Sequence, residues 1–319
     1  VQKIFNSLFY QIAILAILSA RLPVLYAQEL SPYKTIETGE KEIRAALFSS
    51  DGKYIAAAGS EAIYIWRAED FKLNKIIKYK AISLAACGTG TFAAAGADKD
   101  IIFYSFADGA ETASAGKQID YRRSLAANPD GSLLAGSAFS EILFFNAGSG
   151  KLQYGVNGHN GWIWGVCFSP DGKNFATGSS DGSVIIWNSG SRKPEVTIPG
   201  FKCGINSVKY SPDGKSIAAG LSDGRIVLLD ALTGKEKFTL KNDDKIIKTL
   251  CFTPNGRFLI SSGTNKTIMV WHAIKERMVG SRLAGEDAIN EISASPDGKF
   301  LLSCGGGNIN LWRLSYGVE

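Results

Sequence analysis

The chain has 319 residues, a formal net charge of +5, 45% apolar residues and 20% charged ones. That balance describes a globular protein with a sizeable core and excludes a disordered chain. The basic excess is too mild for binding driven by charge to nucleic acid or to an anionic membrane.

The N-terminal segment reads differently from the rest. Lys3 precedes an apolar run over residues 8–18, broken at Gln11 and followed by Arg21 and Pro23. A basic start, a short apolar run and a small residue at the cut predict a signal peptide over residues 1–27, cleaved after Ala27 or Ala20. The run falls short of the ~20 residues that a bilayer span needs, so no stable membrane span is expected. No cysteine precedes Cys87, which argues against a lipid anchor. The expectation is one domain over residues 28–319, exported to the periplasm, the cell surface or the medium. If the leader is not a signal peptide, the protein is cytoplasmic.

Residues 33–37 form a first strand, and a repeated phrase follows. Phe48-Ser-Ser-Asp-Gly-Lys53, Ala127-Asn-Pro-Asp-Gly-Ser132 and Phe168-Ser-Pro-Asp-Gly-Lys173 are three copies. Three more begin at Tyr210, Phe252 and Ala294. From Asp130 to Asp171 is 41 residues, and the next three intervals are 42 each. The 79 residues between Asp51 and Asp130 leave room for one further copy, over residues 81–106, with Cys87-Gly-Thr-Gly90 as its turn. A period of ~40–45 residues marks a repeat architecture of seven units.

Within a unit an apolar strand such as Val166-Cys-Phe168 runs into the Ser-Pro-Asp-Gly turn. Proline presets φ there and glycine takes the positive φ. A strand of small residues follows (Ile217-Ala-Ala-Gly220), then a β-branched strand ending in an aromatic (Val184-Ile-Ile-Trp187), then a polar strand. One such sheet cannot bury both faces, so seven must pack radially around an axis. The small residues of the second strand let neighbouring sheets approach closely. The chain opens with a strand that has no earlier sheet and stops at Leu314 after a third strand. The N-terminal strand should therefore complete the last unit and remove the open edge. The expected fold is all-β: a seven-bladed propeller with four antiparallel strands per blade, closed by its N-terminal strand.

The fourth unit begins Gly158-His159 and closes on Trp187, and on these residues the chain resembles the WD40-repeat family over residues 31–314. The resemblance implies a hydrogen-bonded tetrad of His159, a hydroxyl from Thr177 or Ser179, Asp181 and Trp187, with Ser179 the residue assigned. Other units lack Gly-His, and the family's Trp-Asp pair appears as Trp66-Arg67, Trp187-Asn188, Trp271-His272 and Trp312-Arg313. Phe145-Asn146 and Leu229-Asp230 replace the tryptophan altogether. Such degenerate repeats resemble bacterial members of the family. The resemblance implies protein partners, a monomeric propeller and no cofactor.

Catalytic chemistry is poorly supplied. Two histidines are too few for a His-rich metal site, and His272 has no acidic partner in register. Asp98-Lys-Asp100 and Asp243-Asp244 read as solvated turn charges, without the oxygen-rich loop of a calcium site. Gly305-Gly-Gly307 lies between strands, with no helix to build an anion site. Asp230-Ala-Leu-Thr-Gly-Lys235 resembles a quinoprotein propeller motif only in passing. Five scattered cysteines form no CxxC pair or disulfide framework, and Cys167 and Cys251 should be buried as small apolar residues.

Function is therefore expected at a surface. Loops that lead into each first strand gather with the turns between second and third strands on one face. Aromatics and arginines there make the best anchors. The candidates are Tyr121, Arg122, Arg123, Phe139, Trp162, Trp164, Lys202 and Asn206. Trp162 and Trp164 straddle Ile163, so one of the two is open to packing between blades. The favoured function is a non-enzymatic protein-interaction scaffold. The alternative is a propeller hydrolase or lactonase using Asp120, Asn206 and Asn290 at the channel mouth.

Overall fold

The computed structural model describes residues 29–96, 100–117, 124–241 and 245–315. The expected leader, Asp98, Asp120, Tyr121, Arg122, Arg123, Asp243 and Asp244 lie outside these residues.

The repeated phrase makes the same turn at each copy. Gly172 takes φ +70°, where an L side chain costs about 1–2 kcal/mol. The Ser169 hydroxyl donates to Asp171 Oδ1 at 2.7 Å and accepts from the Asn174 backbone N–H at 3.0 Å. Asp171 Oδ1 in turn accepts from the Lys173 N–H at 3.1 Å. Ser49, Ser211, Thr253 and Ser295 repeat the device with Asp51, Asp213, Asn255 and Asp297. Asn128 takes the serine's place beside Asp130, accepting from the Leu133 N–H at 2.9 Å. Four of these glycines (Gly52, Gly172, Gly214 and Gly256) also meet the proline of an adjacent turn: a Cβ on Gly172 would stand 3.3 Å from Pro129 Cδ, and one on Gly214 3.6 Å from Pro170 Cδ.

These turns organise seven four-stranded antiparallel sheets. After β1 (Glu29–Glu37), the first sheet is β2 (Ile43–Phe48), β3 (Tyr54–Gly59), β4 (Ile63–Arg67) and β5 (Leu73–Ile77). The second is β6 (Ala81–Cys87), β7 (Thr91–Gly96), β8 (Asp100–Ser105) and β9 (Glu111–Lys117). The third is β10 (Leu125–Ala127), β11 (Leu133–Ala138), β12 (Glu141–Asn146) and β13 (Leu152–Asn157). The fourth is β14 (Ile163–Phe168), β15 (Asn174–Ser179), β16 (Val184–Asn188) and β17 (Pro194–Ile198). The fifth is β18 (Ile205–Tyr210), β19 (Ser216–Leu221), β20 (Arg225–Asp230) and β21 (Glu236–Lys241). The sixth is β22 (Ile247–Phe252), β23 (Phe258–Gly263), β24 (Thr267–His272) and β25 (Arg277–Leu283). The seventh is β26 (Glu291–Ala294), β27 (Phe300–Gly305) and β28 (Asn308–Ser315), with β1 as its outer strand.

The first strand of each sheet is innermost, and each touches its neighbour around a complete circuit from β2 through β26 and back to β2. The result is a seven-bladed β-propeller. Strands two and three are apolar on both faces because a blade lies on either side, as with Ile55, Ala56, Ala57 and Ala58, all fully buried. Glycine sets the spacing between blades. A Cβ on Gly178 would lie 2.5 Å from Ile205 Cγ2, and one on Gly220 would lie 2.6 Å from Ile247 Cγ2.

Closure occurs through β1, which pairs antiparallel with β28 from Glu29↔Ser315 to Glu37↔Asn308. The strand starts four residues earlier than expected. A bulge between Pro32 and Lys34 lets the ladder take in Pro32, a residue that cannot donate to it. Leu30 and Ile36 are buried on either side of this bulge. No helix among the described residues is long and apolar enough to cross a membrane.

The five cysteines are free thiols. Burial pushes the Cys167 thiol up to about 11 and those of Cys87 and Cys251 up to about 12. Cys167 is buried as expected, whereas Cys251 is only partly so, although both line the central channel.

Candidate functional site

The geometry of the expected face begins with a break in pairing. The ladder between first and second strands shifts register at Ile43/Ala45, Ala81/Ser83, Ile163/Gly165, Ile205/Ser207 and Ile247/Thr249. The skipped residues are Arg44, Ile82, Trp164, Asn206 and Lys248. A bulge re-aims the side chain of its extra residue, and all five line a central cavity of about 1140 Å³. Trp164 and Asn206 were legible as candidates. Arg44, Ile82 and Lys248 were not, although they share one signal: each is the second residue of an innermost strand.

Trp162 and Trp164 therefore part company across Ile163. Trp164 turns into the cavity, while Trp162 stays on the rim with 38% of its surface exposed. Trp162 meets Phe139, itself 47% exposed, edge to face at 4.7 Å between ring centroids. The backbone holds this pair in place. The Ile163 N–H donates to the Phe139 carbonyl at 2.8 Å, and the Trp162 N–H donates to Ser180 Oγ at 2.8 Å. Phe139 sits at φ +53°, a region that a bulky side chain adopts only under constraint. Lys202 is exposed in the loop before β18.

Asn206 differs from the expectation of a partner-facing side chain. It is buried, its Nδ2 donates to the Ile247 carbonyl at 2.9 Å, and its Oδ1 accepts from Ser222 Oγ at 3.2 Å. Asn290 likewise donates to the Ile43 carbonyl at 3.0 Å and to Glu42 Oε1 at 3.2 Å. Both asparagines tie one blade to the next, so the two described groups that the hydrolase alternative named are engaged in structure.

The tetrad of the fourth blade assembles around Thr177. Its hydroxyl meets His159 Nε2 at 2.7 Å and accepts from Trp187 Nε1–H at 2.9 Å. His159 Nδ1 lies 3.0 Å from Asp181 Oδ2, and Asp181 Oδ2 also accepts from the Asn160 N–H at 2.8 Å. The ionised acceptor on Nδ1 holds the proton there, so Nε2 receives the threonine hydroxyl's hydrogen. Ser179, the residue assigned from sequence, does not take this place. It ends β15 two residues further on and accepts from the Asp181 N–H at 3.2 Å. Burial would raise the Asp181 carboxyl, but the Ser183, Asn160 and His159 donors outweigh it and hold the group below its usual range. Burial lowers His159 despite the pull of Asp181. The indole–hydroxyl bond recurs without the histidine: Trp271 donates to Ser261 at 2.8 Å and Trp312 to Ser303 at 2.9 Å. His272 instead accepts backbone N–H groups from Ile274 and Lys275, an internal turn lock.

A family model described as WD domain, G-beta repeat, matches residues 30–67, 150–188, 192–230, 234–272 and 279–313, together more than half of the chain. Strands β6 to β12, which lie between the first two matched segments, fold into sheets of the same order. No match was found among curated proteins. Proteins of this family commonly act as interaction scaffolds and are typically non-enzymatic. A tryptophan bound to a strand hydroxyl in three blades, seven closed sheets and this match agree: the chain belongs to the WD40-repeat family of seven-bladed β-propellers.

Proposed function

We propose that the protein is a non-enzymatic scaffold that docks a protein partner on the face bearing Phe139 and Trp162. The observation that carries this reading is the aromatic pair itself, half exposed and braced by backbone hydrogen bonds around a strained φ. Rigid aromatic surface at a rim gives up little entropy on docking. Tyr121, Arg122 and Arg123 are included in the proposed surface by sequence position alone, and Lys202 is proposed to extend it along the rim. The propeller acts as a monomer, exported by the segment over residues 1–27 to the periplasm, cell surface or medium.

Quantitative cross-linking and capture from the source cell's envelope fraction tests this, comparing wild type with a Phe139→Ala, Trp162→Ala double variant. A partner lost at least about tenfold by the variant, with an unchanged melt, supports the reading. Equal recovery of every captured protein removes this face from contention. Fractionation of cells expressing the full chain tests export, and a purely cytoplasmic product refutes that part.

A further inference from the structure

Inside the cavity, away from the rim, two opposite charges stand without a direct partner of opposite sign. Lys209 on β18 and Glu291 on β26 both line the cavity. Lys209 makes no hydrogen bond or ion pair among the described residues, and Glu291 receives one hydrogen bond, from Thr249 Oγ1 at 3.1 Å. The other charged groups of the lining have polar partners: Arg44 pairs with Glu42 at 3.3 Å, and the Lys248 ammonium donates to the neutral Asn290 Oδ1 at 2.9 Å. Both side chains are half-buried, and a charge partly withdrawn from water without a counter-ion is costly, so this pair calls for a complement. Burial raises the Glu291 carboxyl, with the Lys209 charge pulling against it. The two therefore sense one another across the cavity without touching. Ile82 and Trp164, half-buried at their bulges, give the same cavity an apolar wall.

One ligand chemistry answers all three features. An ammonium neutralises Glu291, a carboxylate neutralises Lys209, and an apolar group covers Ile82 and Trp164. A phosphate or a simple dicarboxylate would leave Glu291 facing like charge, and a plain cation would leave Lys209 bare. We propose that the propeller channel binds a small zwitterion, an α-amino acid with an apolar side chain, between Lys209 and Glu291. This site is separate from the rim proposed for protein docking and does not depend on it.

The test is isothermal titration calorimetry and thermal melting of the full chain with leucine and phenylalanine. Leucinamide, which lacks the carboxylate, and N-acetyl-leucine, which lacks the ammonium, serve as probes of each charge. Each derivative should bind about tenfold or more weakly than the parent amino acid, because each leaves one protein charge unanswered. Lys209→Met should abolish the preference for leucine over leucinamide, and Glu291→Gln the preference for leucine over N-acetyl-leucine. Circular dichroism establishes that each variant is folded, and the wild-type ligand series stands alone if one is not. No heat and no melting shift up to ~10 mM amino acid would overturn the proposal. So would derivatives that bind as well as leucine, since Lys209 and Glu291 would then be a water-bridged internal pair only.

Discussion

Thr177→Val is the sharpest probe of how the fourth blade is held. The substitution keeps the side chain's volume and its β-branched shape and deletes one oxygen. That oxygen satisfies two buried groups at once, the Trp187 indole N–H at 2.9 Å and His159 Nε2 at 2.7 Å. Trp187 is 1% exposed and Thr177 fully buried, so water cannot replace it without opening the blade. An orphaned buried polar group costs about 1–3 kcal/mol. With two orphans, and some relief from imidazole rotation, the expected loss is about 2–4 kcal/mol in urea-induced unfolding. Ser179→Ala removes only a long bond from the Asp181 N–H and should cost under about 1 kcal/mol. Adding Trp187→Phe to Thr177→Val removes one orphan, so the double variant should lose less than the sum of the singles. If Thr177→Val lies within about 0.5 kcal/mol of wild type, or Ser179→Ala is the more damaging, the reasoning fails.

Further outcomes follow from other parts of the ring. Gly178→Ala places a Cβ 2.5 Å from Ile205 Cγ2 and should destabilise by about 1–3 kcal/mol through overpacking between blades, read by chemical denaturation. Gly172→Ala, at φ +70°, should cost about 1–2 kcal/mol, mainly from the backbone conformation, with Pro129 Cδ 3.3 Å from the added Cβ. Deleting residues 29–37 exposes the edge of β28 and should lower the melting temperature sharply and promote association on gel filtration; an unchanged melt refutes closure by β1. His159 is lowered by burial, so it takes up a proton on unfolding; its contribution is complete above ~6.5 and is lost as pH falls below that toward its folded value. His159→Gln should therefore flatten the decline in stability between roughly pH 7 and 5, and an unchanged slope contradicts this.

The number of blades and the closure were legible because both rest on local chemistry. A Pro-Asp-Gly turn writes its own φ requirements into three residues, and a terminal strand with nothing before it has one place to go. The limits of that strand were less legible, since Pro32 stops a regular ladder but not one that bulges. Thr177 and Ser179 lie two apart on one strand and share a face, so composition alone could not say which meets the indole. The pairing of Thr177 with Ile185 decides it. The mouth was hardest to read. Arg44, Ile82 and Lys248 share only their place as second residue of an innermost strand, and no common residue type marks the register break there. Phe139 likewise looked like any turn aromatic, because its positive φ is carried by a residue that rarely adopts one.

The pairing of β1 with β28 also sets a clock on biosynthesis. Thr35 meets Asn310 across a separation of 275 residues, so the first strand must wait while nearly everything else is made. At about 5–20 residues per second, that wait is on the order of 14–55 s. Six blades can take shape in that interval, yet the circle stays open with two sticky rims until the final segment emerges from the ribosome. A product cut short before β28 thus leaves β1 without its partner strand, whereas pairing with β28 fills that edge of the last blade.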